Sequence, residues 1–294
     1  MILLSDLEIR ALLKKYGVRQ SKKRGQSFLK SMAVASEIVR LAELSSADHV
    51  LEIGGGLGVL TEMLAEKAGF VYVVEIEPGL AKALGDRFAA NRNVNVIEGD
   101  ALTIGLPEVG KIVSNLPYSI SSGITFRLLR EVDFEYAILM YQKEFAERLT
   151  ALPGSSAYSR LSVNFQYLAK AEHIMDVSSD MFYPEPAVDS KVVRVTHRTT
   201  GPFAKDSTVF NWMVRGVYSY PNKHLRRALH IWFKTIDVDT EIADAIIDAS
   251  GVDGLGTKRP RGLGLDALVP LADVLTEMME DGRIPRPEDD QYEP

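Results

Sequence analysis

The chain contains no cysteine among its 294 residues, which excludes disulfide bonds, thiolate metal ligands and a cysteine nucleophile. It also lacks a long apolar run, since no stretch approaches the roughly 20 residues that a membrane helix needs. The opening MILLSDLEIR is too short in apolar residues and too acidic for a signal peptide. The five histidines are scattered and indicate no metal site. These absences predict a cytoplasmic protein that holds no metal.

The chain has little net positive charge overall, because its formal net charge is -6 and its pI is near 5.5. A simple charge count therefore disfavours a nucleic acid as partner. A phosphate backbone, however, responds to local clusters of charge, and three basic clusters are present. We predict that they contact RNA, against the simpler alternative of solvated surface charge. The clusters are Lys22, Lys23, Arg24; Lys223, Arg226, Arg227; and Lys258, Arg259, Arg261. The second cluster begins a predicted helix on which no acid relieves the basic face.

Strand and helix patterns alternate through the first two thirds of the chain. Buried-strand patterns at 49–54, 70–76, 94–100, 111–118 and 135–142 are separated mostly by helical ones. This alternation predicts an α/β fold with a mostly parallel sheet and helices on both faces. Two late β-rich runs, at 172–177 and 191–198, are expected to complete the sheet as a pair.

After Arg198 the sequence shows only helical patterns of apolar and polar residues. We predict a catalytic domain over 1–198 and a small all-α domain over 199–280. The segment 281–294 is acidic, carries prolines and has little to bury, so it is expected to be a disordered tail.

A glycine-rich loop lies between the first buried strand and its helix. Gly54, Gly56 and Gly58 alternate after Glu52, whereas a dinucleotide-binding loop has the spacing G-x-G-x-x-G. The spacing disfavours an NAD-dependent dehydrogenase and resembles the E-x-G-x-G-x-G loop of S-adenosylmethionine-dependent methyltransferases. The alternative is a tight turn with no ligand.

Two acids follow the next two strands. Glu75 lies 19 residues after Gly56, where a carboxylate can accept hydrogen bonds from both ribose hydroxyls of a nucleoside. Asp100 ends the third strand and can accept from an adenine amino group. Their neighbours Ile76 and Ala101 are assigned to the same cofactor site. Ligands of open α/β sheets bind at this edge, so we expect the acids to lie together.

The fourth strand ends in Asn115, Leu116, Pro117 and Tyr118. An adenine amino group is a poor nucleophile because its lone pair is delocalised into the ring. The Asn115 side-chain oxygen and the Leu116 or Pro117 carbonyl can accept its two hydrogens and localise that lone pair. Tyr118 offers a ring on which a flipped base can stack, a contact worth about 1–3 kcal/mol.

A second aromatic residue, Phe182, precedes two prolines in FYPEP. Its ring is a candidate for the opposite face of the base. The alternative is an aromatic side chain that fills the core.

These motifs together resemble the KsgA/Dim family of ribosomal RNA adenine dimethyltransferases, relatives of the Erm methyltransferases, from about Lys22 to at least Arg261. GQSFL, EIGGGLGVLT, VEIEPGLA, GDAL, NLPY and FYPEPAVDSKVVRV follow the family order. The resemblance implies a class I methyltransferase fold and S-adenosylmethionine as cofactor. It implies that Gln26, Ser27 and Leu29 close over the cofactor. It also implies that Gly54, Glu75, Asp100 and Asn115 contact it, and that Tyr118 and Phe182 flank the base.

The resemblance further implies the substrate. The expected reaction places two methyl groups on each of two adjacent adenines near the 3′ end of small-subunit ribosomal RNA, late in subunit assembly. Nothing in the sequence demands more than a monomer, and the oligomeric state stays open. Two positions depart from the family pattern, Ser27 in place of Asn or His and Gly55 in place of Pro. Two alternatives stay open: an Erm-type enzyme of large-subunit RNA, and a non-catalytic assembly or transcription factor.

Overall fold

The computed structural model describes residues 5–18 and 27–287. The strands are β1 Phe28–Leu29, β2 His49–Ile53, β3 Phe70–Glu75, β4 Val94–Glu98, β5 Lys111–Asn115, β6 Tyr136–Gln142, β7 Ala169–Val177, β8 Phe182–Tyr183 and β9 Ser190–His197. The helices are α1 Asp6–Lys15, α2 Met32–Leu41, α3 Val59–Lys67, α4 Pro78–Arg87, α5 Ser121–Glu131, α6 Lys143–Leu149, α7 Arg160–Leu168, α8 Ser207–Tyr218, α9 Leu225–Thr235, α10 Ile242–Ala249 and α11 Leu265–Glu280.

A seven-stranded sheet has the order β4-β3-β2-β5-β6-β9-β7. The first five strands in this order pair in parallel, and β9 pairs antiparallel with both β6 and β7. The chain moves outward from β2 to β4 and then returns to β5 and β6. Right-handed crossovers therefore put α3 and α4 on one face and α5 on the other. The predicted fold class is confirmed, and the two late β-rich runs complete the sheet as a pair, which the structure shows to be antiparallel.

The strand order reverses between β2 and β5, and this reversal positions the site. Such a switch point opens a crevice at the carboxyl ends of the two strands. The glycine-rich loop follows β2, and the segment Asn115–Tyr118 ends β5. The same crevice therefore receives both motifs.

The first helix forms where the sequence places its cap. Ser5 accepts a hydrogen bond from the Glu8 N–H, and the Glu8 carboxylate accepts from the Ser5 N–H at 2.7 Å. This capping box satisfies two N–H groups that a helix start leaves unpaired. Ile9 and Leu13 form the buried face of α1 and pack with Phe28 of β1.

The chain divides into two compact units. The first comprises 1–146 and 169–197, and the second comprises 147–168 and 198–294. The predicted domain boundary at 198–199 thus differs from this division in one respect: the segment 147–168 groups with the helical unit. The physical reason is α7, whose apolar residues Val163 and Tyr167 belong to the core formed by α8 and α11. The sequence does not indicate this grouping, because β-strand patterns of the first unit lie on both sides of α7.

The helical unit also extends past residue 280. Gly282 adopts a left-handed conformation with φ of 72°, and Arg283 donates its N–H to the Met278 carbonyl at 2.9 Å. This turn ends α11 and returns Ile284 to the core, where it is 2% exposed. The expectation of a disordered tail from residue 281 is therefore wrong for 281–284, because one isoleucine suffices to anchor the turn. Residues 288–294 of that predicted tail lie outside the described residues.

Candidate functional site

The glycine-rich loop needs its glycines for conformation and for space. Gly54, Gly56 and Gly58 have φ values of 78°, 55° and 77°, a region that other residues rarely adopt. A Cβ atom on Gly54 would lie 3.0 Å from Pro117 Cγ, so the glycine-rich loop and the segment after β5 are already in close approach. The loop backbone is thus exposed to the crevice without side chains that would fill it.

Gly55 has a different reason to be glycine. A Cβ atom there would lie 2.4 Å from Val73 Cγ1 and 2.9 Å from Leu84 Cδ1. Val73 and Leu84 are both buried, so they have little room to move. A glycine at position 55, in place of the family's proline, therefore fits the close packing of Val73 and Leu84 beneath the loop.

A cavity of about 570 Å³ lies above this loop in the first unit. That volume is within the usual range for a small-molecule site. Among the described residues, the charged side chains that line it are all acidic, namely Glu52, Glu75 and Asp100. The cavity therefore favours a ligand that is cationic or rich in hydrogen-bond donors. Among residues 5–18 and 27–287, no group of three or more metal-ligating side chains occurs.

Glu75 is held by backbone N–H groups. Its two carboxylate oxygens accept from Gly56 and Glu77, each at 3.0 Å. The side chain is buried, and burial raises its pKa although these hydrogen bonds oppose the shift. A carboxylate has more acceptor positions than these two donors use, so it can still receive ribose hydroxyls.

Glu52 lies deeper, at 2% exposure. Its Oε2 accepts from the Thr61 hydroxyl at 2.6 Å. Burial raises the pKa of Glu52 to about 8, the Thr61 hydrogen bond opposes the shift, and the nearby charge of Glu75 adds to it. Near neutral pH this carboxyl therefore holds its proton in a substantial share of molecules. Thr61 belongs to α3 and was not among the predicted site residues.

The wall beside Asp100 combines polar and apolar groups. Asp100 accepts from the Leu102 N–H through Oδ1 at 2.9 Å, which fixes its orientation. Ile76 is 49% exposed although it is large and apolar, and Ala101 is buried against the same cavity. A planar base fits such a wall, because its faces need apolar contact and its edge needs an acceptor.

Asn115 offers a buried acceptor to a ligand of the cavity. Its Oδ1 is buried and has no hydrogen-bond partner among the described residues. Leaving such an acceptor unpaired is costly, so native proteins keep one for a reason, often a functional one. Asn115 lines the cavity, and an amino group entering it would satisfy this oxygen.

The backbone after Asn115 distinguishes the two predicted carbonyl acceptors. The Pro117 carbonyl already accepts from the Ile120 N–H at 3.1 Å and from Ser121 Oγ at 3.5 Å. The Leu116 carbonyl accepts no hydrogen bond from the described part of the chain, although the Leu116 N–H donates to Met140. Leu116 is thus the better second acceptor.

Tyr118 lines the cavity, and its hydroxyl is fixed by a hydrogen bond with Ser190 Oγ at 2.6 Å. Burial raises the pKa of Tyr118, so the phenol stays neutral. Ser190 belongs to the sequence motif that follows FYPEP, but no role in the site was predicted for it.

Phe182 is not where the sequence prediction places it. The ring is 1% exposed and packs in the core with Val177 and Val192, and it does not line the cavity. The physical reason is the pairing of β8 with β1, in which Leu29 faces Phe182 and Phe28 faces Tyr183. In this structure Phe182 therefore fills the core, which was the alternative to a ring that stacks on the target base.

The amino-terminal segment contributes Ser27, Phe28 and Leu29 to the cavity wall. Phe28 was not predicted, and it joins the cavity to a small core with Leu57 and Leu80. The predicted contacts Gln26, Lys22, Lys23 and Arg24 lie outside the described residues.

The other two basic clusters meet in the second unit. The Leu225 N–H at the start of α9 donates to the Lys258 carbonyl at 2.7 Å, which joins the two segments. Tyr218 fixes the Pro260 carbonyl at 2.8 Å, and the Gly154 N–H fixes that of Arg261 at 2.7 Å. We call the combined surface the basic surface. All six of its side chains are exposed: Lys223, Arg226, Arg227, Lys258, Arg259 and Arg261.

The helix α9 itself carries no acid, as predicted, but an acid of another helix relieves part of this surface. Asp244 of α10 lies 2.9 Å from the guanidinium of Arg226. The sequence could not show this contact because 18 residues separate the two side chains. Arg226 is therefore partly neutralised, whereas neither Lys223 nor Arg227 has a described ion-pair partner.

Within the described ranges, no helix has the length and apolar character needed to cross a membrane.

Comparison with known proteins gives one consistent group. The family model described as ribosomal RNA adenine dimethylase matches residues 17–253. A probable ribosomal RNA small subunit methyltransferase A of Methanococcoides burtonii is 47% identical over 221 residues, which are 75% of this chain and 81% of that protein.

Two solved structures are similar over most of the chain. A dimethyladenosine transferase from Plasmodium falciparum has a TM-score of 0.72 and 28% identity, covering 87% of this chain and 98% of that one. The 23S rRNA methyltransferase ErmE has a TM-score of 0.64 and 28% identity, covering 85% and 99%.

Proposed function

The chain belongs to the ribosomal RNA adenine dimethylase family, and on this premise we propose that it is the small-subunit enzyme of that family. It transfers methyl groups from S-adenosylmethionine to the 6-amino groups of two adjacent adenines near the 3′ end of small-subunit ribosomal RNA. It acts on the assembling subunit. The single observation that carries the chemistry is the buried, unpartnered Oδ1 of Asn115 at the wall of an acidic cavity.

The residues of the cavity fit S-adenosylmethionine. This cofactor would supply a methyl group already activated by a sulfonium cation. Glu75 is positioned to accept the ribose hydroxyls, and Asp100 to accept from the adenine amino group. Ile76 and Ala101 provide apolar contact for the base, and the acidic side chains of the described lining suit a cation.

Asn115 and Leu116 prepare the target. Asn115 Oδ1 and the Leu116 carbonyl each accept one hydrogen of the target amino group, and this pulls its lone pair out of conjugation with the ring. The acceptors are fixed in advance by the end of β5, so little reorganisation accompanies the reaction. Tyr118, held by Ser190, supports one face of the base by stacking.

The proton released by the amino group needs no strong base in this scheme. It leaves after the methyl group is transferred, when the product nitrogen is acidic enough to lose it to water. The protein's task at this step is to orient the hydrogens, which the two acceptors do.

The basic surface would hold the RNA. Its exposed cations contact phosphates and position the substrate without reading sequence. The backbone bonds to Lys258, Pro260 and Arg261 keep this loop in one conformation, which lowers the entropy lost on binding.

The alternatives are less well supported. The likeness to ErmE concerns the shared fold, whereas relatives at 41–47% identity are named as small-subunit methyltransferases. A non-catalytic factor need not keep Glu75, Asp100, Asn115 and Tyr118 together at one cavity, and all four line it.

Transfer of radiolabelled methyl groups from S-adenosylmethionine tests the proposal directly. The substrates are isolated small subunits that lack the modification, with large-subunit RNA as the parallel sample, followed by nucleoside analysis. We expect label in dimethyladenosine of the small subunit. Label only in large-subunit RNA would identify an Erm-type enzyme, and absence of both label and cofactor binding would identify a non-catalytic factor.

A further inference from the structure

Strands β2 and β5 separate before they end. Their backbone pairing consists of Val50 with Lys111 and Leu51 with Ile112. On the outer sides, β2 pairs with β3 as far as Ile53, and β5 pairs with β6 as far as Asn115. A split therefore opens between β2 and β5 below the cavity, and it leaves the backbone of Ile53 without a strand partner on that side.

One side chain closes this split. Ser114 Oγ donates to the Ile53 carbonyl at 2.7 Å and accepts from the Ile53 N–H at 3.3 Å. Ser114 is 1% exposed, so water does not compete for these bonds. The hydroxyl thus performs the task of a missing backbone pair, with both a donor and an acceptor.

The position of this bridge links the two halves of the reaction. Ile53 immediately precedes Gly54, which begins the cofactor loop, and Ser114 immediately precedes Asn115, which holds the target amine. On the far side, Gly54 is fixed to β3 through its N–H and the Val74 carbonyl at 2.7 Å. Ser114 is the described side chain that ties the backbone just before one loop to the backbone just before the other.

We infer that Ser114 is a positioning residue that sets the spacing between the methyl donor and the target amino group. It touches neither reactant, and this inference rests on the proposed function. A bridge at the base of the crevice fixes the separation of the two loops above it, and small errors in that separation are expensive: a displacement of about 1 Å can lower a rate about 100-fold.

The test uses single-turnover methyl transfer together with cofactor binding by calorimetry. Ser114→Ala removes the bridge, and we expect the transfer rate at saturating RNA and cofactor to fall about 10- to 100-fold. The dissociation constant for S-adenosylmethionine should stay within about 3-fold, because Glu75 and Asp100 are unchanged. The second methylation should suffer more than the first, since a methylated amine is bulkier, so monomethyladenosine should accumulate.

A matched pair at the same position separates the hydroxyl from packing. Ser114→Thr keeps the bridging oxygen, whereas Ser114→Val has nearly the same volume and lacks it. We expect Thr to retain most of the rate and Val to resemble Ala. This comparison remains informative if Ser114→Ala weakens folding, because threonine and valine add nearly the same side-chain volume to the core.

Ser162→Ala is the control for loss of a buried serine. Ser162 is fully buried in α7 of the second unit and accepts from the Ser159 N–H at 3.0 Å. The Ser162→Ala variant should lose stability as Ser114→Ala does, but it should keep the transfer rate of the unchanged protein. Equal rates for the Thr and Val variants, or a Ser114→Ala enzyme with the full rate and dimethyl product, would overturn the inference. Absence of transfer by the unchanged protein would instead refute the proposed function.

Discussion

The cavity of the first unit and the basic surface of the second are built from opposite kinds of polar group. Around the cavity, Glu52 and Glu75 are buried, and Asn115 Oδ1 has no hydrogen-bond partner in the described part of the chain. On the basic surface, cations such as Lys223 and Arg227 are exposed, and the structure fixes the backbone beneath the surface by hydrogen bonds. In a low-dielectric site, the interaction of a single polar group with its ligand is strong. An exposed charge interacts weakly and is screened by salt, so binding depends on the sum of several such charges.

This contrast predicts two patterns of mutational sensitivity. A single change at a cavity group that orients a reactant, such as Asn115, should abolish one step, because no neighbour can replace an oriented buried acceptor. A single change on the basic surface should have a small effect on every RNA, because the phosphate contacts add up.

Asn115→Ala should give the largest effect, a loss of about 100- to 1000-fold in the rate of methyl transfer, because one oriented acceptor of the reacting group is removed. Cofactor binding, measured by calorimetry, should stay largely intact. Asn164→Ala is the matched control, because Asn164 Oδ1 in α7 of the second unit is also buried without a partner. A similar loss of rate in both variants would show that burial of the amide, not its place at the cavity, is what matters.

Lys223→Glu combined with Arg226→Glu should weaken RNA binding about 10-fold at low salt, and the deficit should shrink as salt rises. Lys223→Glu combined with Arg227→Glu should weaken it more, because Asp244 already offsets the charge of Arg226. Filter binding across a salt series measures both. Binding that is unchanged at every salt concentration would remove the basic surface from the account.

Glu52→Gln should have the smallest effect, seen in stability and not in chemistry. The pKa of Glu52 in the folded protein is about 8, above its ordinary value of 4.5. Between these values the folded protein binds more protons than the unfolded chain, so wild-type stability falls as pH rises through this window. Glutamine cannot ionise and still accepts from Thr61. The variant should therefore gain in Tm relative to wild type from pH 5 to pH 9, by a few degrees at most, and a constant difference across this range would contradict the shift.

Much of the fold and the cavity followed from the sequence, because local spacing dictates them. The alternating glycines fixed the turn after β2, and Glu75 and Asp100 were placed by strand ends that a parallel sheet aligns at one edge. Asn115 and Tyr118 reached the cavity by the same rule. None of these placements needs knowledge of long-range packing.

What the sequence did not reveal depends on contacts between distant residues. Ser114 bridges to Ile53 across 61 positions, and Asp244 approaches Arg226 from another helix. Phe182 is an aromatic residue two positions before Pro184, which suits a base platform as well as a core residue, and its pairing with Leu29 decides between them. The segment 147–168 joins the second unit although it interrupts the strand pattern of the first.

The most direct test of the division of labour is one experiment with two readouts, single-turnover methyl transfer at saturating small-subunit substrate and RNA binding under the same buffer. The account predicts that Asn115→Ala loses the rate and keeps the binding. It predicts that Lys223→Glu with Arg227→Glu loses binding and recovers the wild-type rate once RNA is saturating. If both variants lose rate and binding in parallel, the cavity and the basic surface do not have separate tasks, and the account is wrong.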